Sequence, residues 1–237
     1  MTYQETLEYL VNSLPMFQRV GASAFKKDLG NTLAICAHLG NPERKFKSVH
    51  VAGTNGKGST SHTLAAVMQA AGYKTGLYTS PHLKSFTERI RIDGQEIPEH
   101  SVVQFVADNR ELLDQLKPSF FEMTVGMAFW YFAQQHVDIA IIEVGMGGKF
   151  DSTNVIRPEL SLITNIGWDH VQFLGNTLPD IATEKAGIIK ESVPVVISQT
   201  QVETSEVFLQ KAKQMNAPIL FADQLISVEK IFSADSH

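Results

Sequence analysis

The sequence predicts an α/β protein built on a mostly parallel sheet with helices on both faces. Three observations carry that prediction. Short β-rich runs alternate with helix-length segments along most of the chain. Some of those runs, such as Ile139-Ala140-Ile141-Ile142, are apolar throughout, as strands buried on both sides of a parallel sheet are. A glycine-rich stretch from Gly53 to Thr60 lies between one such run and a helix-length segment, where α/β proteins form ligand-binding turns.

The elements follow in order. Leu7, Leu10, Val11 and Leu14 recur at helical spacing until Pro15, and Leu29, Leu33, Ala34, Ala37 and His38 predict a second helix closed by Gly40-Asn41-Pro42. Phe46 to Ala52 reads as a strand, Thr60 to Ala71 as a helix stopped by Gly72, and Lys74 to Thr79 as the next strand. Phe86 to Ile92 alternates polar and apolar residues ahead of Asp93-Gly94, the pattern of a hairpin or edge strand. Helices are expected at Pro98 to Leu116, Phe121 to Gln135 and Val202 to Met215. Strands are expected at Asp138 to Val144, Glu159 to Thr164, Val193 to Ser198 and, briefly, Pro218 to Phe221. The tail from Ser233 to His237 carries no element signal and is expected to fray.

Composition narrows the function classes. The chain has 237 residues, 43% hydrophobic, enough to bury a core without disulfide or metal staples. A net charge of −5 leaves no basic surplus for a polyphosphate backbone, so general nucleic-acid binding is not expected. Cys36, the single cysteine, has no internal partner and fits a reducing compartment. The N-terminus, Met1-Thr2-Tyr3-Gln4-Glu5, is acidic and leads into no apolar stretch, and the longest aliphatic run is Ile139 to Ile142. The expectation is a soluble cytoplasmic monomer with no membrane partner.

The strongest local signal is Gly53-Thr54-Asn55-Gly56-Lys57-Gly58-Ser59-Thr60. Glycines let consecutive N–H groups converge on phosphate oxygens, the following helix N-terminus adds partial positive charge, and Lys57 adds a full one. Its spacing is shorter than G-x-x-x-x-G-K-[ST], and Gly58 separates the lysine from Ser59. The loop reads as an ATP site. Ser80, Glu143 and Asp169-His170 each follow or end a predicted strand, so in a parallel sheet they face one crevice beside that loop, where Mg2+ can take oxygen ligands. Taken alone, His170 reads more readily as a core or hydrogen-bonding histidine, and Lys185 as a solvated helix residue.

Several motifs together resemble the folylpolyglutamate synthase/dihydrofolate synthase family of the Mur-ligase superfamily. The phosphate loop is joined by Leu77-Tyr78-Thr79-Ser80-Pro81-His82-Leu83, Glu88-Arg89-Ile90-Arg91-Ile92, Phe121-Glu122 and Glu143-Val144-Gly145-Met146-Gly147-Gly148. Asp151-Ser152-Thr153-Asn154, Asn165-Ile166-Gly167-Trp168-Asp169-His170 and Glu184-Lys185-Ala186-Gly187-Ile188 complete the set, in the family's order from Asp28 to Lys190. The resemblance implies a P-loop, Mur-ligase-like domain and an ATP-dependent amide ligase of folate metabolism. Its substrates would be ATP, a folate or dihydropteroate carboxylate, and L-glutamate. The γ-phosphate would go to the carboxylate, and the glutamate amine would attack the acyl phosphate.

The resemblance also implies roles by position. Ser80, Glu143 and His170 match metal ligands for one or two Mg2+ ions, and Lys185 matches a lysine that the family often carbamylates. Lys57, Glu143, His170 and Lys185 are thereby the candidate catalytic residues. Asp28, Leu29, Gly30, Ser80, His82, Phe121, Glu122 and Asp151 match substrate positions, the pterin end falling to Asp28 to Gly30, Phe121-Glu122 and Asp151. Read without the resemblance, Asp28 is a helix cap, Phe121 core packing and Asp151 an Asx-turn. Lys149 stands where the family usually has arginine, which weakens any bidentate contact there. The family's C-terminal α/β domain is expected to lie outside this chain, so 1–237 reads as an incomplete N-terminal ATP-binding domain whose activity alone is in question. Two alternatives stand beside this reading. A cell-wall Mur ligase would need a UDP-binding domain in the 52 residues before Gly53. A non-catalytic nucleotide-binding fragment would bind ATP without glutamate-dependent phosphate release.

Overall fold

The computed structural model describes residues 1–15 and 28–227; the tail from Ser233 to His237 lies outside them. Helix α1 (Tyr3–Ser13) starts at a Thr2 capping box, with the hydroxyl accepting from Glu5 N and the Glu5 carboxylate accepting from Thr2 N. Helix α2 (Gly30–His38) leads to β1 (Lys47–Ala52), the phosphate loop, α3 (Lys57–Ala70) and β2 (Thr75–Tyr78). A hairpin of β3 (Ile90–Ile92) and β4 (Gln95–Glu96) precedes α4 (Glu99–Leu116), α5 (Phe120–Gln134), β5 (Ile139–Glu143) and β6 (Leu160–Ile163). The short helices α6 (Val171–Leu174) and α7 (Leu178–Lys185), then β7 (Val195–Ile197), α8 (Ser205–Gln214) and β8 (Ile219–Phe221), complete the described chain.

The strands form one sheet in the order β4-β3-β2-β5-β1-β6-β7-β8. The pairings β2–β5, β5–β1, β1–β6, β6–β7 and β7–β8 are parallel, and the β3–β4 hairpin joins at one edge with β3 antiparallel to both β2 and β4. Side chains alternate along the central strands and so define the layers. Val49, Val51, Leu77, Ile141 and Leu162 pack with Ala65 of α3 on one face. Tyr78, Ala140 and Ile142 meet Phe105 and Val106 of α4 and Met123, Phe129 and Phe132 of α5. Ala52 and Ile163 join Ile181 and Ala182 of α7 and Phe208 and Ala212 of α8. The expected α/β architecture is the one observed. Among the described residues no helix is long and apolar enough to cross a membrane.

The chain leaves β1 for β2, returns to β5 beside β1, and then crosses to β6 on the other side of β1. The carboxyl ends of β5, β1 and β6 therefore open one crevice at the point where the winding reverses. Local boundaries differ from expectation in three places. Helix α3 begins at Lys57, not Thr60, because Gly56 takes a left-handed N-cap (φ 81°) and puts the lysine in the first turn. Phe86–Arg89 forms a 3-10 turn, leaving only Ile90–Ile92 as strand. Helices α6 and α7 had no sequence signal: at four and eight residues they are too short to show periodicity, and tertiary contact decides them.

Helix α2 lies directly on α5, since a Cβ at Gly126 would sit 2.5 Å from Ile35 Cγ2. Gly126→Ala should be destabilising by about 1 kcal/mol in urea unfolding: roughly 1–3 kcal/mol of overpacking, partly offset by up to about 1 kcal/mol of better helix propensity.

Candidate active site

The phosphate loop is held from below. Gly53 has φ 141°, and a Cβ there would lie 1.8 Å from Thr164 Oγ1, so only glycine lets the backbone rest on the end of β6. Thr54 N donates to Asn165 O (2.9 Å), Asn55 N to Asn165 Oδ1 (3.0 Å), and Thr164 Oγ1 to Asn55 O (2.7 Å). Gly167 N donates to Thr54 Oγ1 (3.0 Å). Lys57 folds back over the loop, its Nζ donating to Gly53 O (2.9 Å) and Thr54 O (3.0 Å). Gly58, Ser59 and Thr60 lie in the first turn of α3; Thr60 N donates to Gly56 O (2.9 Å), while the N–H groups of Gly58 and Ser59 and the helix dipole favour an anion.

Glu143 ends β5 against that turn. A Cβ at Gly58 would lie 3.9 Å from each of its carboxylate oxygens, and Oε2 accepts from Ser80 N (3.3 Å). Burial raises the Glu143 carboxyl to about 7, opposed by the Ser80 N–H and the Lys57 charge. The Ser80 loop is itself fixed from behind. Glu88 accepts N–H bonds from Leu83, Lys84 and Ser85, which bring its carboxyl down to about 2. Arg89 Nε donates to His82 Nδ1 (2.7 Å), so that ring nitrogen is the acceptor.

Lys185 is not the solvated helix residue that its local sequence suggests: it is 1% exposed at the end of α7. Lys149 N, in the glycine loop after β5, donates to Glu184 O (2.8 Å) and draws that helix end inward. Lys185 Nζ donates to Gly53 O (2.9 Å), the same oxygen that Lys57 uses, and lies 3.6 Å from Asp169 Oδ2. Burial lowers its amine to about 8, and the Lys57 charge adds to that. Asp169 also reaches His170, with Oδ1 3.4 Å from Nε2.

The remaining sequence-predicted residues form a second group. Phe121 is 6.2 Å from Tyr78, centroid to centroid. Its ring edge lies over the Gly145 α-carbon, where an added Cβ would be 2.5 Å from Phe121 Cζ and 3.2 Å from Asp151 Oδ2. Asp151 is buried and accepts from Met146 N, Thr153 N and the Thr153 hydroxyl, while burial raises its carboxyl above the ordinary range. Thr153 also bonds the buried His50 Nε2 (2.8 Å). Glu122 is occupied in a capping box with Ser119 and by Asn31 Nδ2 (3.1 Å). Asp28 accepts from Gly30 N (2.8 Å), with Leu29 as the N-cap of α2. Both carboxylates thus serve helix ends in this structure.

The fold brings Ser80 to Glu143, Lys57 to Lys185, and Phe121 to Asp151, while His170 joins through Asp169. Among the described residues no three His, Cys, Asp or Glu side chains cluster at metal-binding distance. The oxygens that fit Mg2+ are the Glu143 carboxylate and the Ser80 hydroxyl beside the phosphate loop. Asp169 was expected in this crevice beside His170, but the roles of Thr164 and Asn165 in holding the loop were not predicted: Thr164 read as the end of a strand, and Asn165 only as part of a motif.

A family model for the Mur ligase middle domain matches residues 51–230. The chain is 46% identical over 200 residues to the dihydrofolate synthase/folylpolyglutamate synthase of Bacillus subtilis, covering 81% of this chain and 46% of that one. Its structure is similar to the apo form of L. casei FPGS, with TM-score 0.86 and 39% identity over 93% of this chain and 54% of the other. It is also similar to E. coli FolC in complex with DHPP and ADP, with TM-score 0.83 and 32% identity over 92% and 51%. The chain spans about half the length of the curated relatives it matches.

The buried amine of Lys185 makes stability depend on pH. The folded protein releases this proton at about 8, the unfolded chain near 10.5, so the unfolded state holds the extra proton between those values. Wild-type stability relative to Lys185→Met should therefore rise across that window, by ~2–3 kcal/mol. Parallel urea titrations of the two proteins from pH 7 to 10 check this, and a pH-independent difference would contradict it.

Proposed function

The chain belongs to the Mur ligase middle domain family and, within that superfamily, to the folylpolyglutamate/dihydrofolate synthase family, and from this premise we propose that it binds ATP with Mg2+ and activates a folate-type carboxylate. The acyl phosphate so made would react with the amine of L-glutamate to form an amide and release phosphate. The observation that carries the proposal is the placement of both Lys57 and the buried Glu143 at the first turn of α3, beside the carboxyl ends of β1 and β5. An anion fits on the lysine side and a hard cation on the carboxylate side. The similar E. coli FolC structure, in complex with DHPP and ADP, supports the same reading.

Each residue has a task in this scheme. N–H groups of Lys57, Gly58 and Ser59 in the first turn of α3 cradle the phosphates, and Lys57 neutralises charge on the transferring phosphoryl group. Ser80 and Glu143 hold Mg2+, with His170 and a carbamylated Lys185 for a second ion. When bound, Mg2+ supplies charge neutralisation and orients the reacting oxygens. Carbamylation forms an Nζ–C bond between the neutral amine and carbon dioxide and releases one proton to solvent. The depressed pKa of Lys185 favours the neutral amine. Phe121 stacks on a flat heterocycle while Asp151 accepts from its amino edge, and the loop of Ser80 and His82 borders the rest of the substrate.

Lys57→Ala should weaken Mg·ATP binding at least about tenfold, the worth of a charge-assisted phosphate contact, with the unfolding midpoint preserved. Isothermal titration calorimetry reads the affinity, and unchanged binding would remove the phosphate-loop assignment. Glutamate-dependent phosphate release, compared between dihydropteroate and tetrahydrofolate, then tests the carboxylate substrate. ATP binding without such release would favour a nucleotide-binding role alone.

A further inference from the structure

The segment that carries the phosphate loop has a second side. Asn165 and Gly167 turn backbone groups toward Thr54. Ile166 between them points its own N–H and C=O the other way, the alternation of an extended chain. Both groups are taken by one side chain. Ile166 N donates to Gln201 Oε1 at 2.8 Å, and Gln201 Nε2 donates to Ile166 O at 2.8 Å. Ile166 is buried, so without the carboxamide these backbone groups would go unpaired.

Gln201 is itself anchored in the turn between β7 and α8. Its carbonyl accepts from Thr204 N, Ser205 N and Ser205 Oγ. Its neighbour Thr200 gives both its N–H and its hydroxyl to the Asp223 carboxylate, at 2.7 Å each. Hydrogen bonds and the peptide links between adjacent residues thus connect Asp223 after β8, through Thr200 and Gln201, to Ile166 and its neighbours Asn165 and Gly167, and on to Thr54 and Asn55.

We propose that Gln201 is a positioning residue of the phosphate loop, fixing Ile166 so that Asn165 and Gly167 present the groups on which Thr54 and Asn55 rest. The inference rests on reading that loop as the nucleotide site. Matching a backbone N–H and C=O together takes an acceptor and a donor on one planar group at this reach. Glutamate would set an acceptor against the Ile166 carbonyl, methionine offers neither group, and asparagine is one methylene short.

Amide hydrogen exchange by NMR and Mg·ADP titration on this chain test the proposal. In Gln201→Met, Thr54 and Asn55 amides should exchange about tenfold faster and Mg·ADP should bind about tenfold more weakly. Val49 and Val51 in β1 should be unchanged. Gln201→Glu should give the same pattern and serves if the methionine variant does not fold. Thr200→Val, which cuts the hydroxyl ties to Asp223 and Gln224 but keeps the Thr200 N–H bond to Asp223, should keep Mg·ADP affinity within about twofold. Unchanged exchange at Thr54 and Asn55 in either Gln201 variant overturns the proposal. So does equal acceleration throughout β1, which would make Gln201 a general stability residue. A parent chain that binds no Mg·ADP defeats the nucleotide reading instead, and the exchange pattern still decides the role of Gln201.

Discussion

The carbonyl oxygen of Gly53 is the point on which the site is organised. It accepts from Lys57 and from Lys185, two lysines that are 128 residues apart in sequence (185 − 57 = 128). Its own α-carbon rests on Thr164 at the end of β6, an approach that any side chain would block. One peptide therefore sets the height of the phosphate loop, the inward turn of the first lysine and the buried end of α7.

That arrangement concentrates charge in a poorly solvated place. Two ammonium groups share one oxygen, with Asp169 as the nearby carboxylate of Lys185, while Glu143 lies buried against the first turn of α3. Desolvation moves both groups toward neutrality, the carboxyl upward and the amine downward, so each is left ready to take a counter-ion. Such perturbed groups gathered in one crevice are what the proposed binding of phosphates and a cation would use. Rigid neighbours keep it open: Glu88 behind the Ser80 loop, and Asn165 beneath the phosphate loop.

Most of the architecture was legible because it rests on local chemistry. An uninterrupted aliphatic run marked β5, a short β-rich run marked β6, glycine ended α3, and Asp93-Gly94 marked the edge hairpin. The glycine loop suggested an anion site through its glycines, its lysine and its place between a strand and a helix, although its spacing departs from the usual pattern. Residues 171–185 were silent, because α6 and α7 are too short for a periodic signal and owe their form to packing of Leu174, Ile181 and Ala182 in the core.

By itself the sequence determined the α/β class, the phosphate loop and, through its run of motifs, the family to which the chain is similar. These follow from patterns within a few residues, where propensity and steric constraint act directly. Only the tertiary structure decided which side chains meet. Lys185 looks solvated in Glu184-Lys185-Ala186-Gly187, yet it is buried because α7 docks on the loop after β5. Glu122 and Asp28 look available, yet they are spent on helix ends. Gln201 carries no motif, and its place opposite Ile166 comes from two connections that cross the sheet. Burial and partnership between distant residues are properties of the packed chain, because each depends on atoms that local sequence does not bring near.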